Sequence, residues 1–214
     1  MSNAYTFSEA QKNKSALQSK ALKTDREIKN AQRLIYQVFV KEMGWIPDPA
    51  NFSGIRFVGD AEGKRFVDDF DPVATWFGTF HNQELIACWR FCEPLDGKFE
   101  LEHYHPIPEF LKAAKSLEIT RLVIHPQYRS RSRVMLHLTQ TAYKHLCDQF
   151  DYTFAAVGFP YPGNLYLKLG AKQADVKPFK YSPLDKNEVQ LIVLDFKDKS
   201  TVVSGYGKYF QRKE

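Results

Sequence analysis

Residues 117–138 constrain the fold more than any other part of the 214-residue chain. A short apolar run, LEITRLVIH, leads into a basic turn that contains serines, and an amphipathic stretch follows. This order predicts a strand, a turn and then a helix. The first backbone N–H groups and the positive end of such a helix can bind a phosphate. The segment therefore predicts an α/β protein whose ligand carries a phosphate.

The rest of the chain predicts strands and helices in a mixed order. Thr24 is expected to cap a helix that ends near Met43 and Gly44, because Glu27 follows at the third position and apolar residues recur at helical spacing. Apolar runs at 74–80 and 85–91 predict an antiparallel hairpin. The remaining predicted elements are helices at 106–114, 129–150 and 163–169 and strands at 117–125, 153–158, 172–181 and 188–196. The fold class is α/β (α+β), with a mixed sheet.

Length and composition favour one globular domain. The chain is 43% hydrophobic and 26% charged, which suits a single core. Residues 1–23 are polar and weakly patterned, so a flexible arm is predicted there, with one domain over residues 24–214. No run approaches eighteen apolar residues, and the first twenty residues lack the apolar stretch of a secretory signal. A cytoplasmic protein without a membrane span is predicted.

The formal net charge of +5 is unevenly distributed. Arg129, Arg131 and Arg133 cluster after the central strand, and further basic residues lie at 208–213. Such patches can bind nucleic acid, an anionic cofactor or an acidic protein. Because no zinc-finger spacing, repeat or aromatic RNA-binding signature accompanies the charge, no nucleic-acid partner is predicted. The three arginines bind an anionic partner or form a solvated helix start.

Cysteines and histidines predict neither a disulfide nor a metal site. Cys88 and Cys92 lie four residues apart on a predicted strand, roughly 13 Å at about 3.3 Å per residue, which is too far for a disulfide. With Cys147, they are expected to be small buried apolar residues. His103 and His105 have the spacing of a metal pair, but no third ligand is placed near them. No metal is predicted.

Two motifs give residues 117–171 a family resemblance. The turn Gln127-x-x-Ser130-x-Ser132 lies where Gcn5-related N-acyltransferases (GNATs) carry a Gln/Arg-x-x-Gly-x-Gly/Ala pyrophosphate loop, and residues 165–170, LYLKLG, resemble the family's late Leu-Tyr-x-x-Leu-Gly motif. The resemblance implies a GNAT-like central mixed twisted sheet flanked by helices, with Tyr166 as a general acid. The residues expected to bind the donor or to supply oxyanion N–H groups are Val123, His125, Gln127, Arg129, Ser130, Arg131, Ser132 and Arg133.

A narrower resemblance covers more of the chain. The sequences RLIYQVFVKEMGW at 33–45, FVDDFD at 66–71 and Glu118-x-x-Arg121 are similar to those of the acyl-homoserine lactone (autoinducer) synthases and N-acyl amino acid synthases. It implies transfer of a fatty acyl group from acyl carrier protein or acyl-CoA to a small amine or amino acid, with no tightly bound cofactor. The substrate-binding residues that it implies are Arg33, Phe39, Trp45, Asp68, Asp71, Arg90 and Arg121.

Departures from these families bear on the two substrates. Ile35 stands where the lactone synthases carry a second arginine, and Phe66 stands where they carry a glutamate. Both changes argue against S-adenosylmethionine as the acceptor and suit an amino acid or another small amine. Serine in place of glycine adds a Cβ and narrows the backbone options of the phosphate turn. A donor with a single phosphodiester, such as the pantetheine arm of a carrier protein, would tolerate that looser turn.

Acyl transfer from a thioester requires a group to take the amine proton, donors to the oxyanion and an acid for the thiolate. Glu118 is the candidate base, because a carboxylate beside an apolar strand can have a raised pKa. The alternative is a buried carboxylate that ties neighbouring elements together. In an extended strand Glu118 and Arg121 point to opposite faces, so no direct pair is expected. Tyr166 is the candidate acid, and its alternative role is an aromatic cap on the last helix.

Two other functions stay open at this point: a small-molecule N-acetyltransferase that uses acetyl-CoA, and a non-catalytic module that binds acyl thioesters or a carrier protein. Aromatic residues are expected to form most of the core and to border a slot suited to an acyl chain, since each buried methylene contributes about 0.8 kcal/mol. These residues are Trp45, Trp76, Phe77, Phe80, Trp89 and Phe91.

Overall fold

The structure, a computed structural model, describes residues 17–129, 132–181 and 185–198. The strands are β1 (Leu17–Leu22), β2 (Arg56–Asp60), β3 (Gly63–Val67), β4 (Ala74–His81), β5 (Glu84–Cys92), β6 (Ser116–Ile124), β7 (Tyr152–Val157), β8 (Lys172–Gln173) and β9 (Gln190–Asp195). The α-helices are α1 (Asp25–Ile35), α2 (Glu109–Ala113), α3 (Ser132–Leu146) and α4 (Gly163–Lys168). A π-helical segment, Tyr36–Glu42, follows α1 directly, and short 3-10 turns include Glu100–His103 and Pro126–Tyr128.

Seven strands form one mixed sheet in the order β1-β4-β5-β6-β7-β9-β8, and β2 and β3 form a separate hairpin. Strands β6 and β7 are parallel and are connected through α3, whereas the other neighbours are antiparallel. Parallel pairing covers only Ser116–Glu118 against Tyr152–Phe154. Beyond these residues β6 stays paired with β5 and β7 stays paired with β9, so the two strands diverge. This confirms the predicted mixed sheet flanked by helices.

The core lies on both faces of the sheet. Trp76 and Phe77 are successive residues of β4 and therefore point to opposite faces. Trp76 packs with residues of α1 and the β2–β3 hairpin, and Phe77 packs with the apolar stripe of α3. Both side chains are at most 2% exposed, and burial of such a side chain contributes about 1.5–3 kcal/mol. A third apolar cluster, around Phe99 and Phe154, includes Leu111 of α2 and Leu191 of β9.

The first helix begins as predicted and ends differently. Thr24 caps α1, and Glu27 completes the capping box. After Ile35 the hydrogen bonds change to the π pattern, and Met43 N–H still donates to Val38 O at 3.0 Å. Apolar spacing predicted one helix as far as Met43, because over seven residues an i to i+5 bonding pattern leaves no distinct mark on the sequence.

The prediction of a flexible arm is wrong for residues 17–22, and residues 1–16 lie outside the described residues. Residues 17–22 form β1, which pairs with six of the eight residues of β4, from Trp76 to His81. Its alternation of half-buried and exposed residues carries polar groups on the inward face, such as Ser19, whose Oγ lies 2.8 Å from Thr79 Oγ1. That polarity concealed the strand. Among the described helices, none has the length and apolar character needed to cross a membrane.

Elsewhere the predicted elements shift at their ends. The hairpin at 74–80 and 85–91 is confirmed as β4 and β5, and the strand, turn and helix of residues 117–138 as β6, a 3-10 turn and α3. The sequence did not predict the hairpin of β2 and β3. The predicted strand at 172–181 shortens to the two residues of β8, with one isolated bridge from Phe179 to Val189.

Candidate active site

The divergence of β6 and β7 opens a cleft of about 510 Å³. Residues 119–122 of β6 form one wall, and residues 155–158 at the end of β7 form the other. Phe39 and Trp45 reach the cleft from the π-helical segment and the loop after it, and Tyr166 reaches it from α4. Glu118 lies at the base, in the last parallel pair before the strands part. The topology therefore brings the two candidate catalytic residues into one cleft.

Glu118 is a buried carboxyl group whose side chain borders this cleft. The residue is 1% exposed, and its Oε2 accepts a hydrogen bond from the Leu101 N–H at 3.1 Å. Burial, together with the negative charge of Glu100, raises the pKa of Glu118 to about 8. A pKa near neutrality suits a group that exchanges protons at physiological pH. The predicted rise in pKa is thus present, and its main cause is desolvation.

A buried network of ion pairs lies behind Glu118. Arg90, which is 1% exposed, donates through Nη1 to Asp68 Oδ1 and Asp71 Oδ1, each at 2.6 Å. Its Nη2 donates to Glu100 Oε2 at 3.1 Å, and its Nε donates to Thr120 Oγ1 at 2.8 Å. A guanidinium can be buried only when its charge and its N–H groups are matched in this way. The FVDDFD segment and Arg90 therefore meet as one structural unit.

Arg121 joins the same network through a bulge in β6. Its Nη2 donates to Glu100 Oε1 at 2.6 Å and to Asp68 Oδ2 at 2.9 Å. Arg121 and its neighbour Leu122 together lie opposite the single residue Trp89, and Arg121 has φ +50°. The prediction that Glu118 and Arg121 point to opposite faces is therefore wrong, because the extra residue of the bulge reverses the alternation.

The two aspartates of the network differ in their proton affinity. Although burial of Asp68 opposes ionisation, the charges of Arg90 and Arg121 hold its pKa at about 2. Burial raises the pKa of Asp71 in spite of Arg90, and the neighbouring Asp68 charge adds to that rise. Asp71 Oδ2 also accepts a hydrogen bond from Gln32 Nε2 at 2.8 Å. Asp68 is thus a permanent counter-ion of the two arginines.

Tyr166 is held by the tight entry into α4. Burial raises the pKa of its phenol, so the hydroxyl keeps its proton at neutral pH. The ring centroid lies 6.0 Å from that of Trp89, on the α3 side of the sheet. Gly163, at the first position of α4, lies against the Phe159 ring, where a Cβ would come within 2.5 Å of ring carbon. Glycine at this position lets α4 start directly against the loop that follows β7, and Tyr166 of this helix lines the cleft.

The predicted donor-binding residues lie at the end of β6, in the turn after it and at the start of α3, and they differ in burial and in hydrogen bonding. Val123 is buried in the core beneath α1, and the His125 N–H already donates to Ile86 O at 2.8 Å. Gln127 is exposed on the 3-10 turn, and Arg133 is exposed on α3. The Arg129 guanidinium binds the Glu42 carboxylate. Ser130 and Arg131 lie outside the described residues, as does the side chain of Ser132.

Arg33, a predicted substrate-binding residue, lies away from the cleft and binds the hairpin of β2 and β3. Its Nη2 donates to both carboxylate oxygens of Asp60 at 2.8 Å, and its Nη1 pairs with Glu62 at the same distance. These partners belong to the hairpin of β2 and β3, so Arg33 ties α1 to that hairpin. Phe39 and Trp45, by contrast, pack around Phe66 and also line the cleft.

Sequence reasoning missed several residues that line the cleft, among them Glu100, Tyr104 and Tyr181. Glu100 binds both arginines of the network, and Tyr104 and Tyr181 face each other across 5.5 Å between ring centroids. Burial raises the pKa of both phenols, and the Tyr104 hydroxyl lies 3.2 Å from Ser53 Oγ. All three residues come from irregular segments without a periodic pattern. The signal that the sequence offered was Glu100, an acidic residue between the apolar residues Phe99 and Leu101.

Over the part of the chain that the structure describes, no cluster of three His, Cys, Asp or Glu side chains could hold a metal ion. His103 stacks on Phe52 with 6.0 Å between ring centroids, and His105 stacks on Phe179 at 3.9 Å. The two histidines therefore serve as aromatic packing partners. Cys88 and Cys92 are buried free thiols, and Cys147 is a half-buried one.

A mixed sheet that diverges between two parallel strands is the architecture of the GNAT fold. Residues 30–195 match the sequence model of the N-acyl amino acid synthase FeeM, and the chain belongs to that family. It is an N-acyltransferase that transfers an acyl group to an amine, as the sequence resemblance implied. A comparison with curated protein sequences gave no match.

Solved structures support the same fold. FeeM, an N-acyl amino acid synthase from uncultured soil microbes, superimposes with a TM-score of 0.64 at 16% identity, covering 92% of this chain and 97% of that chain. The CoA-dependent acyl-homoserine lactone synthase BjaI, solved with SAM and isopentyl-CoA, gives 0.62 at 15% identity and covers 92% of both chains. The acyl-homoserine lactone synthase LasI gives 0.57 at 14% identity, covering 90% and 94%.

Proposed function

We propose that this enzyme transfers a fatty acyl group from a pantetheine thioester, carried by acyl carrier protein or coenzyme A, to the amino group of a small amine or amino acid. The observation that carries the proposal is the position of Glu118. Its carboxyl group has a pKa of about 8 and lies where β6 and β7 part, at the base of an open cleft.

The proposed chemistry uses one group on each side of the cleft. Glu118 takes a proton from the amine, directly or through water, and the amine nitrogen attacks the thioester carbonyl. The C–N bond forms and the C–S bond breaks, and Tyr166 gives its proton to the departing thiolate. Transfer of the proton from Glu118 to Tyr166 through solvent restores both groups. The bulge at Arg121 supports a role for nearby backbone N–H groups toward the oxyanion, because it interrupts the regular pairing of β6.

Apolar side chains along the cleft support a long acyl group. Ile119, Leu122 and Val157 of the diverging strands line this space of about 510 Å³, together with Trp45 and Ile46 of the neighbouring loop. Each methylene that these side chains bury contributes about 0.8 kcal/mol. A chain that lies between the diverging strands therefore gains binding free energy with its length, which a two-carbon group would not.

The acceptor side supports an amine and argues against S-adenosylmethionine. Carboxylates of Asp48, Glu100 and Asp185 border the cleft, together with the rings of Tyr104 and Tyr181. This surrounding suits a cationic amino group. Ile35, which replaces a family arginine, is fully buried in the core, and Arg33 binds the β2–β3 hairpin. The cations bordering the cleft in the described chain are Arg121 and Lys186, either of which can meet the carboxylate of an amino acid.

On the donor side, we propose that Arg129, Gln127 and Arg133 bind the phosphate of the pantetheine arm, with Ser130, Arg131 and Ser132 contributing from the same turn. Arg129, after the turn that follows β6, and Arg133, on α3, are both exposed, which supports docking of an acidic carrier protein. A cytoplasmic location, where such donors are made, stays a prediction.

Turnover with defined donors tests the proposal. Purified protein is incubated with acyl-CoA and acyl-carrier-protein thioesters of graded chain length and with a panel of amines and amino acids. We expect release of free thiol and formation of an amide, detected by mass spectrometry, with long chains preferred over acetyl. A clear preference for the two-carbon donor would indicate the acetyltransferase alternative. The absence of turnover with every pair would contradict the proposal.

A matched pair of variants ties the activity to the cleft. Glu118→Gln removes the proposed base and keeps the hydrogen-bonding shape of the side chain. Glu93→Gln makes the same change at an exposed site at the end of β5, away from the cleft. We expect the first variant to lose amide formation and the second to retain it. Equal activity of the two variants would remove Glu118 from the mechanism.

A further inference from the structure

A charged contact joins the π-helical segment, which borders the mouth of the cleft, to the turn after β6. Glu42 is the last residue of the π-helical segment, and Arg129 lies in the turn after β6. The guanidinium makes two hydrogen bonds to the carboxylate, of which the one from Nη2 to Oε2 measures 2.7 Å. The Arg129 Nε donates to Ile124 O at 3.0 Å, which orients the other two nitrogens toward Glu42.

Exposure makes this contact easy to exchange. The side chain of Arg129 is 43% exposed and that of Glu42 is 36% exposed. An ion pair with this exposure contributes little to the stability of the fold, because water and salt compete for both charges. A phosphate offers the guanidinium the same two-pronged geometry as a carboxylate. A phosphorylated ligand can therefore take the place of Glu42 on Arg129 at little cost to the fold.

The segment that carries Glu42 is also a wall of the cleft. Met43, Trp45 and Ile46 follow directly and line its mouth, where Met43 is 66% exposed and Ile46 is 67% exposed. Gly44 has φ +66°, so the backbone turns sharply between Glu42, which binds Arg129, and Trp45, which lines the cleft. π-helical turns are rare and occur frequently at functional sites. A displacement of Glu42 would therefore be passed to side chains that line the cleft.

We propose that, in the donor-free enzyme, Glu42 occupies the place on Arg129 that the donor's phosphate takes on binding. The inference rests on the proposed function, since it requires a pantetheine-type donor. A carboxylate and a phosphate repel each other when they share one guanidinium, so the arriving donor displaces Glu42 and moves residues 43–46. Gln37, whose Nε2 lies 3.3 Å from His125 Nε2, holds the start of the segment against the same turn. Donor binding thereby changes the shape of the cleft wall that Met43, Trp45 and Ile46 form.

Two donor fragments and three variants test this exchange. The dissociation constants of 4′-phosphopantetheine and of pantetheine, which lacks the phosphate, are measured by titration calorimetry on the full chain. Glu42→Gln keeps the shape of the side chain but removes the charge that binds Arg129. Phosphopantetheine should therefore bind this variant about fivefold tighter, the equivalent of about 1 kcal/mol. The affinity for pantetheine should not change. Arg129→Gln should erase the difference between the fragments. Glu62→Gln, at the exposed pair with Arg33, should match the parent protein.

Fluorescence of Trp45 reports the movement of the wall. Phosphopantetheine should shift the part of the tryptophan emission that Trp45→Phe removes, and pantetheine should not. Tighter phosphopantetheine binding by Glu42→Gln together with this shift supports the exchange. Phosphate-dependent binding that Glu42→Gln leaves unchanged or weakens overturns it while the donor class stands. If neither fragment binds any variant, the exchange and the pantetheine donor are both wrong, whereas amide formation without the Glu42 effect contradicts the exchange alone.

Discussion

Two arginine–carboxylate contacts near the cleft have the same chemistry and opposite surroundings. Arg90 is 1% exposed and binds three carboxylates, whereas Arg129 is 43% exposed and binds Glu42. Removing one partner of a buried ion pair leaves an unpaired charge in a medium of low polarity, but an exposed partner is replaced by water. Burial therefore makes the first contact a fixed part of the architecture and leaves the second available to a ligand.

The buried side of this comparison gives the largest expected effect. Arg90→Met leaves Asp68, Asp71 and Glu100 without their main counter-ion, and we expect a loss of about 3–5 kcal/mol in the free energy of unfolding. Urea denaturation followed by circular dichroism measures the loss. A variant with nearly the parent stability would show that the carboxylates become protonated or hydrated at small cost, and the contrast with Arg129 would disappear.

Activity of Glu118→Gln gives the next effect. We expect kcat/KM to fall by about 100-fold or more. In the parent enzyme kcat/KM should rise with pH and level off above about 8, because the raised pKa keeps the Glu118 carboxyl protonated, and unable to accept a proton, at lower pH. The variant should lack that inflection, whereas an inflection that persists would belong to another group. Unchanged unfolding by urea serves as the folding control.

Gly163→Ala tests how closely α4 must approach the loop that follows β7. The new Cβ would lie 2.5 Å from the Phe159 ring, and overpacking of this kind costs about 1–3 kcal/mol. Because the strain falls at the start of α4, we expect Tyr166 to shift and kcat to fall. Gly59→Ala is the matched control, since no atom lies within 4 Å of the position that its new Cβ would take. Equal stability of the two variants would contradict a close approach at Gly163.

An exposed ion pair outside the cleft should give the smallest change in the free energy of unfolding. Arg56 pairs with Asp69 at 2.6 Å, with side-chain exposures of 56% and 53%. We expect Arg56→Met to change the free energy of unfolding by less than about 1 kcal/mol, and the change to shrink further in high salt. A loss as large as that of Arg90→Met would mean that exposure is not what separates the two classes of contact.

The sequence singled out residues that the structure brings together, but it did not predict how they are arranged. Glu118, Arg121 and Arg90 were selected from motifs, and all three meet around Glu100. The relative direction of Glu118 and Arg121 was predicted wrongly, because a bulge depends on pairing with β5 and has no signature within β6 itself. Glu100 was missed because a 3-10 turn of four residues carries no periodic pattern.

The fold was predictable where periodicity is strong and less so where the partner strand decides the structure. The capping box at Thr24, the hairpin of β4 and β5, and the amphipathic α3 follow from local spacing. Residues 17–22 gave no such signal, since their inward positions carry Ser19 beside apolar residues. Their extended form depends on hydrogen bonding to β4, which lies more than fifty residues away in the chain.

That first strand bears on how the protein can be handled. Leu17–Leu22 covers the outer edge of β4, and Leu22 also packs against Gly78, where a Cβ would meet its side chain at 2.8 Å. A shortened chain that begins at Thr24 would expose a row of unpaired backbone groups, a template for edge-to-edge association. Expression designs should therefore retain these residues, although they resemble a dispensable leader when only the sequence is considered.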